Sequence, residues 1–244
     1  MNKHYKEIEL INPKSPSYIA NNKRYKKTSN MFRKHKRRDP FASEYNIELQ
    51  RWESVVQRLL STLICEEENR ILKYIDGKKG YQYREVDFIG RNSSNRLTFC
   101  ELKLKANFKE KLGSKESGRS QLNKSISIAN HKYNNIGGLA ICIDMSYVYG
   151  DVSNACMDSY SKFMNVLSYF LNGPTKVSTI WLSSIEICNL ALQYKLLTQT
   201  DIDRMRKVHK EQLNPLSILT NEKINEPNNP FGMLRNLSQI HSYV

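Results

Sequence analysis

Two carboxylates and a lysine stand close together in the sequence, on segments whose apolar pattern predicts β-strands. Asp87 lies in an apolar-rich run, and a polar turn at 92–95 separates it from a second run, 97–105, which carries Glu101 and Lys103. Residues two apart on a strand point to the same side, so Glu101 and Lys103 share a face. Two carboxylates beside a lysine are the components of a site that cleaves phosphodiester bonds with a divalent metal ion.

The face that carries these charges changes character along the second run. It begins with Leu97 and Phe99 and ends with Glu101 and Lys103. A face wholly in solvent would be polar throughout, so the change predicts a strand whose far end opens into a cleft. Taken singly, Asp87 is typical of a solvent-facing strand end, and the other two charges are typical of an exposed pair. The functional interpretation depends on the three residues as an ordered set.

Asp87, followed by thirteen residues and then Glu101-Leu102-Lys103, resembles the motif of the PD-(D/E)xK nuclease superfamily. This group contains restriction endonucleases, junction resolvases and many repair nucleases. The resemblance extends over roughly 48–145, and no proline precedes Asp87, a departure that many members share. It implies an α/β fold: a three-layer restriction-endonuclease-like core with a central mixed β-sheet flanked by helices.

The resemblance also implies roles for the motif residues. Asp87 and Glu101 would be metal ligands, with the carbonyl of Leu102 as a third, and the cofactor would be Mg²⁺, which Mn²⁺ could replace. Lys103 would orient or help to deprotonate the attacking water, or stabilise the developing charge.

Glu53 is a third candidate acid. It falls within the apolar stripe formed by Leu49, Val56 and Leu60 on a predicted helix, where an unpaired carboxylate would be costly. The superfamily often has a helical glutamate at this place. Glu48, on the opposite margin of the stripe, is the rival, and an edge residue reaching solvent is the other interpretation of Glu53.

Gln121 and Glu85 are weaker candidates. Gln121 lies at the start of a helix predicted from Ser120, where the superfamily often carries a glutamine that holds the site together. An ordinary polar residue of the first helical turn is the alternative. Glu85 is two residues before Asp87 and shares its predicted face, so it ranks second to Asp87 as an acid near the metal.

The formal net charge of +14 favours an anionic partner. A segment without acids holds nine basic residues: Lys23, Arg24, Lys26, Lys27, Arg33, Lys34, Lys36, Arg37 and Arg38. A second basic group begins with Lys105 at the end of the Glu101 strand. It continues along the polar stretch 106–119, predicted to be a mobile loop, with Lys109, Lys111, Lys115 and Arg119. Both groups predict contacts with nucleic-acid phosphates, and a solubilising tail is the alternative for the first.

Composition argues against several other classes of protein. The sequence has no run of about 18 apolar residues, so a membrane span is not expected. The polar, basic N-terminus does not resemble a secretory signal. The five cysteines lie far apart, which favours buried thiols in a reducing cytoplasm over a disulfide or zinc framework. The sequence contains no glycine-rich phosphate-binding loop, so the use of ATP is not expected.

Three regions are predicted: a basic, mostly flexible arm at 1–40, a nuclease-like α/β domain at 41–212 and an irregular tail at 213–244. Their expected elements are a helix from Tyr45, capped by Ser43 or Asn46, a strand at 71–75, a hairpin at 81–105, a helix from 120, a strand at 139–145, a helix at 153–171, a strand at 177–188 and a helix at 201–212.

The sequence thus predicts a metal-dependent nuclease that hydrolyses phosphodiester bonds, with DNA as the favoured substrate. The alternatives are an inactive nucleic-acid-binding protein of the same fold and a basic structural protein of a nucleoprotein assembly. DNA versus RNA, endo- versus exonuclease action, target specificity and homodimer formation are left open.

Overall fold

Seven strands and six helices are found in the part of the chain that the structure, a computed structural model, describes: residues 5–33, 40–77, 80–105, 117–145, 158–172 and 176–213. In chain order they are β1 (Tyr5–Ile11), α1 (Pro16–Arg33), α2 (Pro40–Leu63), β2 (Ile71–Asp76), β3 (Tyr81–Glu85), β4 (Phe88–Arg91), β5 (Leu97–Lys105), α3 (Arg119–Ala129), β6 (Gly137–Asp144), α4 (Asp158–Asn172), β7 (Val177–Ser183), α5 (Ser184–Gln193) and α6 (Gln199–Leu213).

A mixed four-stranded sheet has the order β4-β5-β6-β7. β4 runs antiparallel to β5, whereas β5, β6 and β7 are mutually parallel, with Glu101 opposite Ala140. Every residue of β6 is buried, which explains its continuous apolar sequence and confirms the strand predicted there. A second sheet, with the order β1-β2-β3, is antiparallel throughout.

The mixed sheet lies between two apolar layers. On one face, Cys100 and Leu102 of β5 join a core built with α2, α4, α5 and α6. On the other face, Leu97 and Phe99 join a core built with α3 and the antiparallel sheet. The predicted α/β class with a mixed central sheet flanked by helices is therefore confirmed, and the second sheet is an addition that the sequence analysis did not foresee.

The first strand of the predicted hairpin is divided between the two sheets. β3 pairs with β2, whereas β4 pairs with β5, and the change occurs at Val86 and Asp87. The prediction of one continuous strand was wrong because the apolar pattern runs through the break without interruption. The turn at 92–95 is present and has Asn95 at φ 60.

The prediction that residues 1–40 are mostly flexible is wrong for residues 5–33. β1 forms an edge of the antiparallel sheet, where Ile8 is buried in the second core. Residues 16–33 form the helix α1. Tyr5 and Leu10 also pack against the second core, so the antiparallel sheet includes a segment that had been assigned to the arm.

Two further boundaries differ from the prediction. α2 begins at Pro40 rather than near Tyr45, since proline is well suited to the first turn of a helix. The strand expected at 177–188 ends at Ser183, where α5 begins. Ser183 and Glu186 form a capping box that starts this helix and ends the strand. The expected segments at 106–116, 153–157 and 214–244 lie outside the described residues.

Cys100, Cys142 and Cys188 are buried, as predicted, whereas Cys65 is exposed. Cys156 lies outside the described residues. Among the helices of the described ranges, none has the length and apolar character needed to cross a membrane.

Candidate functional site

The break between β3 and β4 positions Asp87. The backbone N–H of Val86 donates to the carbonyl of Arg70 at 3.0 Å, which draws the chain towards β2. β4 pairs with β5 only as far as Phe88 opposite Cys100. Beyond this pair, the Asp87 carboxylate accepts a hydrogen bond from the Leu102 amide at 2.8 Å. An acidic side chain therefore satisfies a strand amide where the neighbouring strand has left.

The carbonyl of Leu102 is directed towards the same gap. In a strand, the N–H and C=O of one residue point to the same side. Since the Leu102 N–H points to Asp87, its carbonyl oxygen also faces the side that β4 has vacated. The Asp87 carboxylate and the Leu102 carbonyl therefore lie at the same edge of β5, and Glu101 is the residue before Leu102 on that strand.

Glu101 and Lys103, which flank Leu102 on β5, form an ion pair. Lys103 Nζ lies 2.7 Å from Glu101 Oε1. Glu101 is only 5% exposed, and Lys103 is half-buried. The two residues do form the charge pair of the alternative interpretation, but the acid is enclosed rather than on an open face.

Gly118 closes the space above this pair. It precedes α3 with φ 77, and a Cβ built on it would lie 2.6 Å from Glu101 Cγ and 3.0 Å from Lys103 Cε. The start of α3 thus lies directly against both charged side chains. Gly118 was predicted to lie in a mobile loop and was not among the candidate site residues. A glycine just before a helix is nevertheless typical of a positive φ.

Glu53 approaches the same cluster from α2. Burial raises the pKa of its carboxyl above the usual value, and the charge of Lys103 opposes this rise while that of Glu101 adds to it. The Glu53 carboxyl thus lies within electrostatic range of both residues of β5. The half-buried acid predicted on the apolar stripe of α2 therefore belongs to the cluster.

Asp87 is the most perturbed carboxyl of the cluster. Burial raises its pKa to about 7, the charge of Glu101 adds to the rise, and that of Glu53 contributes further. The Leu102 amide and Lys103 oppose the rise. Three carboxyl groups and one lysine thus lie within electrostatic range of one another, and negative charge is in excess among them.

Glu48, the rival acid of α2, has a different environment. It lies 2.8 Å from Arg51 and 3.0 Å from Arg204 of α6, and it is 5% exposed. Arg51 belongs to α2 itself, whereas the contact with Arg204 ties α2 to α6. The structure therefore separates the two glutamates: Glu53 lies at the cluster, and Glu48 lies at a helix–helix contact.

Gln121 and Glu85 occupy the margins. Gln121 is exposed on α3, and its backbone carbonyl accepts from Arg84 at 2.8 Å. No contact between the Gln121 side chain and the cluster is found among the described residues. Glu85 is exposed, lies 3.1 Å from Arg70 and accepts a hydrogen bond from Tyr18. Arg70 is another residue that the sequence analysis missed, because nothing in its local sequence distinguishes it.

Six of the predicted nucleic-acid-binding residues have described side chains. Lys23, Arg24, Lys26 and Lys27 are exposed on α1, Arg119 is exposed at the start of α3, and Lys105 is half-buried at the end of β5. The others lie where side chains are not described: Arg33, Lys34, Lys36, Arg37, Arg38, Lys109, Lys111 and Lys115.

The donor set fits a hard divalent cation of the kind predicted. Within the described ranges, no group of three or more His, Cys, Asp or Glu side chains has an arrangement that would hold a metal ion by itself. Mg²⁺ needs fewer protein ligands, since it keeps several waters and is often held by one or two carboxylates. Asp87 and Glu101, with the Leu102 carbonyl, are the oxygen ligands available to such a cation. Its charge would offset that of Glu101, which adds to the effect of burial on the pKa of Asp87.

Comparison of the chain with protein families, curated proteins and solved structures found no match.

Proposed function

We propose that this protein is a metal-dependent nuclease of the PD-(D/E)xK type that hydrolyses phosphodiester bonds, with DNA as its substrate. The observation that supports this most strongly is the contact between the Asp87 carboxylate and the Leu102 amide. It brings the isolated acid of the motif onto the strand segment Glu101-Leu102-Lys103, although β4 and a turn separate the two parts in the sequence. A restriction-endonuclease-like arrangement of the core belongs to the same proposal.

The residues of the cluster have separate roles in the proposed reaction. Asp87 and Glu101 would hold Mg²⁺, which would supply charge neutralisation at the phosphate and acidify water. Lys103 exchanges its ion pair with Glu101 for a contact with the attacking water or the phosphate oxygen. Glu53 reaches the same space from α2 and orients water there.

The exposed basic residues of α1 supply affinity for the nucleic-acid substrate. Lys23, Lys26 and Lys27 lie in solvent on α1, and none of them belongs to the cluster. Contacts with phosphates release counterions and do not depend on base sequence. Binding and cleavage should therefore be separable by mutation.

The test is incubation of the full-length protein with supercoiled, linear, branched and single-stranded substrates in Mg²⁺, Mn²⁺ or EDTA. Cleavage should require the metal. Asp87→Asn and Lys103→Ala should each lower the rate by roughly 10²-fold or more, because each removes a metal-ligand or electrostatic contribution to the transition state.

Lys73→Ala is the matched control for Lys103→Ala. Lys73 forms a surface ion pair with Glu9, 3.3 Å away, so its loss should leave cleavage unchanged. Binding without cleavage by the wild-type protein under all conditions would instead favour the inactive nucleic-acid-binding protein. Wild-type rates in Asp87→Asn would place the chemistry elsewhere.

A further inference from the structure

Arg70 lies where the two sheets separate, immediately before β2. Its Nη1 donates to the carbonyl of Asp87 at 3.1 Å and to that of Val86 at 3.4 Å, and it lies 3.1 Å from Oε1 of Glu85. One guanidinium group thus contacts three consecutive residues, the last residue of β3 and the two that connect it to β4. Asp87 itself belongs to neither strand, so these contacts and the Leu102 amide are what orient it.

Helix α1 is attached to the same connection. The hydroxyl of Tyr18 donates to Glu85 Oε2 at 3.0 Å, and its ring packs against that of Tyr83 with centroids 6.0 Å apart. Burial raises the pKa of Tyr18 to about 12, and the charge of Glu85 adds to this, so the hydroxyl remains a donor at neutral pH. α1 is therefore anchored by its first turn, beside the segment that carries Asp87.

The basic residues of α1 lie beyond that anchor. Lys23 follows Tyr18 by five positions and Lys27 by nine, which corresponds to about 8–14 Å along a helix at 1.5 Å per residue. A phosphate backbone bound by these lysines would therefore pull on a helix that is hydrogen-bonded to Glu85, and Glu85 is paired with Arg70.

We propose that Arg70 is a positioning residue for Asp87, and that Tyr18 and Glu85 connect helix α1 to it, so that nucleic acid bound by α1 acts on the segment that carries Asp87. The inference takes its substrate and its reaction from the proposed function. The positioning of Asp87 by Arg70 depends only on the described contacts.

Replacement of the Arg70 side chain tests the guanidinium without removing the strand pairing. The Val86 N–H donates to the backbone carbonyl of Arg70, and Arg70→Ala retains this bond. The variant therefore loses only the contacts to Glu85 and to the carbonyls of Val86 and Asp87. Arg70→Lys keeps a charge and one or two donors, so it should restore part of the effect.

The direct readout is the Leu102 amide, because its hydrogen-bond acceptor is Asp87. In Arg70→Ala, hydrogen exchange of this amide should accelerate roughly tenfold or more, as expected when charge-assisted hydrogen bonds that hold its partner are lost. Exchange at Ile141 in β6 should stay within about twofold if the core remains folded. Tyr18→Phe, which removes only the bond to Glu85, should give a smaller change at Leu102.

Arg91→Ala is the matched control. Arg91 lies at the other end of β4, where it pairs with Glu67 and donates to the Asn95 side chain at 2.6 Å. It removes an arginine of similar burial and a similar set of contacts. Equal acceleration at Leu102 in Arg70→Ala and Arg91→Ala would overturn the proposal, as would unchanged exchange at Leu102 in Arg70→Ala.

Cleavage kinetics give the second readout. Arg70→Ala should lower kcat roughly tenfold with KM changed by less than about threefold, whereas Tyr18→Phe should mainly raise KM. A rise in KM with unchanged kcat in Arg70→Ala would overturn a positioning role. If Leu102 responds as expected but the wild-type protein cleaves no nucleic acid, the positioning of Asp87 stands and the proposed nuclease function fails.

Discussion

The Asp87 carboxylate accepts a hydrogen bond from the backbone amide of Leu102, 2.8 Å away, and so replaces a strand at the edge of β5. An aspartate is well suited to this place only while its environment tolerates the charge. Burial raises its pKa to about 7, and the neighbouring charge of Glu101 adds to the rise. The same residue is thus structurally satisfied and electrostatically destabilised.

This conflict predicts a specific dependence of stability on pH. The unfolded chain releases the Asp87 proton near pH 3.9, whereas the folded chain keeps it until about pH 7. Between these values the folded state binds the extra proton, so the free energy of unfolding falls as pH rises, by at most about 1.4 kcal/mol per unit. Asp87→Asn should therefore gain stability relative to the wild type between pH 4 and 7, as measured by urea denaturation.

Asp201→Asn provides a control of opposite sign. Hydrogen bonds from Thr198 lower the pKa of Asp201 to about 2, so its contribution to stability is present above the ordinary aspartate pKa and is lost as pH falls through 2. This variant should be less stable than the wild type at pH 7 and approach it at low pH. A stability difference between Asp87→Asn and the wild type that does not vary with pH would contradict the assigned environment.

The two glutamates of α2 should respond differently to the same substitution. Glu48→Gln weakens the pairing with Arg51 and Arg204 and should lower the free energy of unfolding by about 1–3 kcal/mol, with cleavage unchanged. Glu53→Gln removes a buried charge beside other acids, so it should leave stability unchanged or higher and reduce the cleavage rate. Both variants are tested by denaturation and by single-turnover cleavage. If the assignment is wrong, Glu48→Gln will reduce cleavage and Glu53→Gln will lower the free energy of unfolding.

Gly118→Ala should disturb the cluster, whereas Gly77→Ala should not. Both glycines have positive φ, at 77 and 58, so alanine should cost about 1 kcal/mol at either position. At Gly77 nothing lies within 4 Å of the added carbon, but at Gly118 it meets Glu101 at 2.6 Å. Gly118→Ala should therefore lose a further 1–3 kcal/mol or so and also cleavage activity.

Thermal denaturation and cleavage assays on the two glycine variants make the comparison. Equal losses of stability and retained cleavage in both would show that Glu101 moves aside without consequence.

The salt dependence of nucleic-acid binding tests the role of α1. Removal of residues 1–38 is not a clean test, because it also removes β1 from its sheet. Replacement of Lys23, Lys26 and Lys27 by glutamine keeps the fold. If all three contact phosphates of duplex DNA, the slope of log K against log salt should fall by about 3 units.

The control for that experiment replaces the exposed lysines Lys176, Lys195 and Lys207, which lie outside α1, and changes net charge equally. Equal slopes for the two triple variants would mean that α1 is a solubilising segment.

Local patterns were sufficient to predict much of this fold. The apolar stripe of α2, the uninterrupted apolar run of β6 and the shared face of Glu101 and Lys103 all follow from residue spacing. They were predictable because each reflects the periodicity of a single element against the core. The capping box of Ser183 and Glu186 was equally readable, but the apolar residues that follow it concealed the helix.

Other features depend on partners that are distant in the sequence. The strand break at Asp87 exists because Val86 pairs with Arg70, and local alternation contains no sign of it. The difference between Glu53 and Glu48 depends on Arg204, which lies on the last helix. Such relationships between elements cannot be derived from the periodicity of either one.

The two-residue connection between β3 and β4 also restricts changes of chain length. It joins strands in different sheets, and each strand has a fixed register with its partner. One residue inserted there would turn Phe88 and Ile89 towards each other's cores, since successive side chains alternate between faces. The same insertion in the turn at 92–95 would lengthen a surface loop at little cost. Length variation in this part of the chain is therefore expected in the turn and excluded from the connection.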